Sequence, residues 1–381
     1  MKRILVIVLA VVLALSLFTA CGQKSDTLKV GINMELSGDV ATYGQDTVKG
    51  IELAIEQINA AGGIDGKQVE VVKYDNKSDA AEATTLATKL MTQDKVLAVM
   101  GPATSGAFKA EIPVGIQNKV PVISGSATAA DVTVDASGVK EYAFRICYTD
   151  DYQGTAMANF AFNDLKKTKA VIIKDTSNDY SKGLAESFGA AFKNVSGTLV
   201  TEEAFVGGDT DFNAILTKIK ALDFDVIFIA GYYGEAGLII KQARDLGIDV
   251  PILGADGFDS PKLAELAGAD AANDVFFSNH YSSLDQDPVV QDFIKTFKEK
   301  YDAEPNAFNA LGFDLAKFTC DGISRASELT GEAVKTALAS TQNFVGVTGS
   351  FSVGEDHNAI KALVIIEMQG GEQVKSTRAG L

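Results

Sequence analysis

Two short loops carry closely spaced hydroxyl groups. The first is Gly101-Pro102-Ala103-Thr104-Ser105-Gly106 and the second is Ser124-Gly125-Ser126-Ala127-Thr128. Each follows an apolar run, Val96 to Met100 and Pro121 to Ser124. A run without polar alternation suits a parallel strand covered on both faces. A helix-like stretch begins at Ala107. Its unpaired N–H groups and dipole, with the hydroxyls of Thr104 and Ser105, form a spot for a carboxylate. One such loop alone reads as a helix cap; a second just downstream raises the case for a site.

Other strand ends add different chemistry. Tyr43 follows the first predicted strand, Tyr180 ends the loop from Asp175, and Tyr232 and Tyr233 follow Gly231. Asp256 lies in Gly254-Ala255-Asp256-Gly257, where an Asp before Gly alone reads as a turn residue. Facing one cleft, these ends would offer hydroxyls to an anion, a carboxylate to a cation, and aromatic walls. An α-amino acid fits that set. Catalysis is poorly supported. There is no Gly-x-Ser-x-Gly elbow and no phosphate-binding Gly-x-x-x-x-Gly-Lys run. His280 and His357 have no acid or nucleophile partner at local spacing, so no catalytic residue, metal or cofactor is expected.

The elements needed to hold these loops alternate. Predicted strands start at Leu28, Val69, Val96 and Pro121, with helices over 48–58, 79–93 and beyond 107. Gly62-Gly63 ends the first helix and Asp79 caps the second. After a strand at 142–147 and a helix at 151–165, the alternation restarts. Strands at 170–174, 198–202, 226–230 and 251–253 are separated by helices at 181–192, 212–221 and 235–246. This is an α/β chain with two doubly wound, Rossmann-like units in tandem. Three helices follow (288–301, 306–324, 331–339), then strands at 347–353 and 362–368 around a turn at Gly354-Glu355-Asp356.

With 381 residues, the chain has length for two to three domains. A net charge of −16, with no basic run, excludes a nucleic-acid partner. Lys2 and Arg3, the apolar run Ile4 to Leu17, and the small residues before Cys21 read as a secretory signal. The run is shorter than the ~20 residues of a membrane span. Phe18-Thr19-Ala20-Cys21 resembles a bacterial lipobox, with Phe18 where Leu is usual. The expected mature protein is lipidated at Cys21, tethered through 22–26, and held on the extracytoplasmic face of the cell membrane, at the cell surface or in the periplasm. Cys147 and Cys320 are expected as free buried thiols.

The chain resembles the branched-chain amino acid (Leu/Ile/Val) substrate-binding proteins of ABC transporters, of the type I periplasmic-binding-protein fold. The resemblance runs from Leu28 to about Gln369. It rests on Leu36-Ser37-Gly38 with Tyr43-Gly44, Ile58 to Gly66, Tyr74-Asp75, Gly101 to Gly106, Val120 to Ser124 with Ala127-Thr128, and Gln153-Gly154. In the second unit it rests on Tyr180 to Leu184, Asp211-Phe212, Gly231-Tyr232, Gln242-Ala243-Arg244 and Gly254 to Gly257.

The resemblance implies a ligand cleft between two lobes and three hinge crossings. The signal peptide would be 1–20, the lipidated Cys and tether 21–26, the first lobe 27–147 plus 279–357, and the second 148–278 plus 358–381. It implies that Ser105 and Thr128 hold a ligand carboxylate, that the Ser126 carbonyl and Asp256 meet its ammonium, that Tyr43, Tyr180 and Tyr232 are walls, and that Phe308 lines the side-chain pocket. Family members best fitting the pattern carry Glu where this chain has Asp256. The implied protein is a monomer that closes on an amino acid and passes it to an ABC permease. Two other readings stay open: the same fold binding an amide, urea, aromatic or other organic acid, or acting as a sensor; and a secreted enzyme of the same sheet architecture.

Overall fold

Val30, Ile32 and Met34 have no exposed surface, and they lie on β1 (Leu28–Met34), a central strand. It pairs in parallel with β2 (Val69–Asp75) on one side and β3 (Val99–Met100) on the other. The computed structural model describes residues 27–379; the expected signal segment and Cys21 lie outside the described residues. Two helices link these strands, α1 (Ala41–Ala60) and α2 (Ala80–Lys89). The Asp79 carboxylate caps α2 by accepting the Glu82 N–H at 2.7 Å, satisfying a donor the helix leaves unpaired.

Next come α3 (Ser105–Asn118), β4 (Val122–Ser124), a small hairpin of β5 (Val134–Asp135) and β6 (Gly138–Val139), and β7 (Ala143–Arg145). The first sheet has the order β2-β1-β3-β4-β7 and is parallel throughout. Its loops therefore open at the carboxyl ends of the strands, where α/β sheets bind ligands.

The second lobe begins with α4 (Asp150–Asn159) and β8 (Lys169–Asp175), then α5 (Asp179–Asn194) and β9 (Thr198–Phe205). It continues with α6 (Asn213–Lys220), β10 (Val226–Ala230), α7 (Tyr233–Asp245), β11 (Ile252–Gly254), α8 (Pro261–Ala267) and β12 (Val275–Asn279). β12 is a strand beyond those expected from the sequence.

The chain then returns to the first lobe with α9 (Pro288–Tyr301), α10 (Ala307–Arg325) and α11 (Gly331–Ala339). Helix α10 lies against α1 at backbone distance. A Cβ on Gly50 would stand 1.9 Å from the Asn309 carbonyl oxygen, and one on Gly312 2.0 Å from that of Thr47. Glycine at both positions lets the helices meet. That contact puts Phe308 of α10 onto Tyr43 of α1, ring centroids 4.3 Å apart.

A turn does follow at Gly354-Glu355-Asp356, as expected, but it leads into the short strand Ala359–Ile360 rather than the one expected at 362–368. β13 (Phe344–Gly346), β14 (Gly349–Val353) and β15 (Ala359–Ile360) form a sheet of their own. β16 (Leu363–Gln369) pairs instead with β12 and with β17 (Glu372–Ala379), giving the second sheet the order β17-β16-β12-β11-β10-β8-β9. The strands at 347–353 and 362–368 thus belong to different sheets. Lys361, between them, is buried and donates to the Thr348 hydroxyl at 2.6 Å. The chain passes between the two sheet systems after β7, after β12 and after β15.

Candidate functional site

The carboxyl ends of the parallel strands of the two sheets meet across a narrow chamber. The first lobe contributes Tyr43, Ala103, Thr104, Ser105, Ser126 and Phe308; the second contributes Tyr180, Tyr232, Asp256 and Gly257. The structure thus brings Tyr43, Ser105, Ser126, Tyr180, Tyr232, Asp256 and Phe308 to one chamber, whereas Thr128 and Tyr233 stay outside its lining. Thr128 is fully buried outside the lining, and its carbonyl accepts the Asp150 N–H at 2.9 Å.

On the first wall, Ser105 opens α3, and its Oγ accepts the Ala129 N–H at 3.1 Å, tying the two hydroxyl loops together. The Ser126 hydroxyl donates to the Ala103 carbonyl at 2.9 Å, which strengthens the same tie. The first turn of α3 has N–H groups without helical acceptors and the positive end of the dipole. Thr104 departs from expectation. Its hydroxyl donates to Glu35 at 2.8 Å, and the Glu35 carboxylate also accepts the N–H groups of Ala103 and Thr104, each at 3.0 Å. A buried carboxylate of the protein, absent from the sequence reading, occupies the donors just before the helix.

On the second wall, Asp256 follows β11 and is 3% exposed. Its Oδ1 accepts the Tyr180 hydroxyl at 2.9 Å, and its Oδ2 lies 3.1 Å from His280 Nε2. Its N–H donates to Gln153 Oε1 at 3.2 Å, an oxygen that also accepts the Ser278 hydroxyl at 2.8 Å. Parallel pairing of β11 with β12 makes this possible, because it sets the residues after the two strands side by side. His280 therefore has the acid partner that local spacing did not reveal.

Burial pushes the His280 imidazole down to about 4, even though its hydrogen bond to Asp256 works the other way. The pair at pH 7 is a neutral ring donating to a carboxylate rather than an ion pair. Burial, with the charge of Asp256 adding to it, raises the Asp150 carboxyl well above its usual range. No Lys or Arg is among the residues lining the chamber, so Asp256 faces it as an uncompensated negative charge.

Four aromatic rings complete the walls. Tyr180 stacks on Tyr232 with centroids 5.1 Å apart, and Tyr43 meets Tyr232 edge-on at 5.7 Å. Contacts between the lobes hold the chamber shut. The Tyr43 hydroxyl donates to the Gly257 carbonyl at 2.5 Å, and the Tyr233 hydroxyl to the Asp39 carbonyl at 3.1 Å. Lys109 of α3 pairs with Asp179 of α5 at 2.8 Å. The chamber volume is about 10 Å³, room for one water. The vestibule outside it measures about 350 Å³ and is lined from both lobes, with Asp39, Asp175 and Glu235 in its walls. A solute larger than water enters the chamber only when the lobes part.

Cys147 and Cys320 are both buried and free. Among the described residues no group of three His, Cys, Asp or Glu side chains is placed to hold a metal ion. No helix of the described residues is long and apolar enough to cross a membrane.

A family model described as periplasmic binding protein matches residues 27–373. A Leu/Ile/Val-binding protein homolog of Brucella melitensis is 30% identical over 321 residues, covering 82% of this chain and 85% of that protein. The branched-chain amino acid transporter substrate binding protein LivJ of Streptococcus pneumoniae, solved in complex with isoleucine, is 41% identical with a TM-score of 0.89, covering 93% of this chain and 99% of that one. The leucine binding protein LivK of Thermotoga maritima is 33% identical with a TM-score of 0.87, with the same coverage.

Proposed function

This chain belongs to the periplasmic binding protein family, and we propose that it captures a branched-chain amino acid by lobe closure and delivers it to the permease of an ABC importer. The observation that carries the ligand class is the buried, uncompensated Asp256 carboxylate facing the first turn of α3 across an aromatic chamber. An ammonium answers the one and a carboxylate the other. Each charge is tolerable out of water only when paired and hydrogen-bonded. Ser105 and the α3 N–H groups take the carboxylate, with Thr128 behind them, and Asp256 with the Ser126 carbonyl takes the ammonium. Tyr43, Phe308, Tyr180 and Tyr232 cover an aliphatic side chain. The isoleucine complex of the Streptococcus pneumoniae relative supports this choice. Capture from outside the cell and lipidation at Cys21 follow from the amino-terminal sequence.

One observation favours a second reading. Both oxygens of Asp256 already accept hydrogen bonds from protein donors, so a ligand without an ammonium, such as an amide or an aromatic acid, leaves no oxygen orphaned. Calorimetry on the purified protein decides. The expected result is binding of leucine, isoleucine or valine and none of acetamide or benzoate. Preference for the latter pair overturns the amino-acid reading and leaves the fold and family untouched.

A further inference from the structure

We propose that His280 sets the charge preference of this site: by donating one hydrogen bond to Asp256 without neutralising it, His280 makes the site accept only ligands that bring their own cation. The inference rests on the reading of Asp256 as the ammonium partner and adds a residue outside the chamber lining as a positioning residue.

The geometry restricts the ring to a single proton. Nε2 lies 3.1 Å from Asp256 Oδ2, an acceptor, and so carries the hydrogen. Nδ1 is buried and has no hydrogen-bond partner among the described residues. A second proton there would be a buried cationic donor with nothing to receive it, which costs far more than a neutral lone pair left alone. The ring cannot swing to a better place. It stacks on Tyr148 with centroids 3.8 Å apart and planes 17° from parallel, and its backbone N–H is held by Asn279 Oδ1 at 2.8 Å. The Lys361 ammonium adds repulsion against a cationic ring.

The other donor to the same carboxylate is equally neutral. The Tyr180 phenol gives its hydrogen to Oδ1, and burial raises that phenol well above its usual range, so it stays protonated. Two fixed neutral donors orient the carboxylate and leave its charge intact. A Lys or Arg in place of His280 would orient it and cancel the charge. The identity of this one side chain therefore decides whether an α-amino acid or its des-amino analogue is the better ligand.

The test is the ratio of affinities for leucine and 4-methylpentanoate, which differ in the ammonium. It is measured by calorimetry on the wild type, His280→Lys, His280→Gln and His280→Phe. Wild type should favour leucine by at least a hundredfold. If it does not, the ammonium reading of Asp256 fails, whatever His280 does. Given that preference, His280→Lys should shrink the ratio at least tenfold, chiefly by weakening leucine. An unchanged ratio in a folded His280→Lys protein overturns the inference alone. Should that variant not fold, the other pair decides. His280→Gln keeps a neutral donor and should stay within about threefold of wild type for leucine, while His280→Phe should lose tenfold or more. Equal affinities for the Gln and Phe variants overturn the proposal.

Discussion

Glu35 sits beneath Thr104, its carboxylate accepting the Thr104 hydroxyl at 2.8 Å and the Thr104 N–H at 3.0 Å. The turn that presents Ser105 to the chamber is thus anchored by a buried charge. Glu35→Gln replaces an oxygen by an NH₂ aimed at these donors. Breaking a hydrogen-bonded buried charge of this kind costs about 1.5–3 kcal/mol. The expected outcome is a melting temperature lower by several degrees, with weaker leucine binding. Wild-type values for both would show that the anchor contributes nothing.

Tyr43 reaches from α1 to the Gly257 carbonyl on the opposite lobe, at 2.5 Å. That bond exists only while the lobes are together. Tyr43→Phe keeps the ring and its stack on Phe308 but removes the bond, worth about 0.5–1.5 kcal/mol. Ligand affinity should fall by about two- to tenfold, mostly through faster dissociation, as stopped-flow release would report. Unaltered release would place the barrier to opening elsewhere.

Lys109 is a latch at the rim, shared between Asp131 at 2.6 Å in its own lobe and Asp179 at 2.8 Å across the cleft. Half-exposed pairs of this kind contribute about 0.2–1 kcal/mol and weaken in salt. Lys109→Met should therefore weaken ligand binding by at most about fivefold in dilute buffer. In high salt the difference from wild type should vanish. A salt-independent loss would mean the side chain acts through packing.

His280 ties stability to pH. Its ring lies near 4 in the folded protein against 6.5 when free. Between those values the unfolded chain takes up a proton that the folded chain refuses, so this contribution is lost as pH falls from about 6.5 towards 4. The loss amounts to about 2 kcal/mol between pH 7 and pH 5. The buried carboxyls Asp150 and Glu111 are raised by burial and act in the opposite sense, so the comparison must be internal. Urea unfolding should show wild type losing that amount relative to His280→Gln. Parallel pH profiles would contradict a neutral buried ring.

Cys21 lies outside the described residues, and its expected role is tested in cells. Cys21→Ala should release the protein from the membrane fraction with the same ligand affinity. Retention at the membrane would point to an anchor other than a lipid on that thiol.

What the sequence made legible followed from periodicity. Parallel strands such as Val226–Ala230 are buried along their whole length and read as apolar runs. The residues after the strands that were recognised, among them Tyr43, Ser105, Tyr232 and Asp256, line one chamber. β12 escaped the reading, and His280 went with it, since His280 meets Asp256 only because β12 lies beside β11. β17 escaped for another reason. It is an edge strand reading Glu-Gln-Val-Lys-Ser-Thr-Arg-Ala, too polar to show a buried face. Glu35 left no local signal at all, because its partners are 68 and 69 residues away. The turn at Gly354 was legible but its partner was not: the short strand Ala359–Ile360 takes the pairing expected of 362–368, which lies beyond a lobe crossing in the other sheet.

The aromatic packing around Tyr43 gives the molecule an optical signature of its own. The chain has no Trp, so its near-ultraviolet circular dichroism belongs to Tyr and Phe. Tyr43, in the first lobe, lies 5.7 Å from Tyr232 and 5.0 Å from Tyr233, both in the second. At such spacing the ring transitions couple, and separation of the lobes uncouples them. Any opening of the lobes would thus register in the near-ultraviolet tyrosine band, and the chain would need no attached dye to be watched.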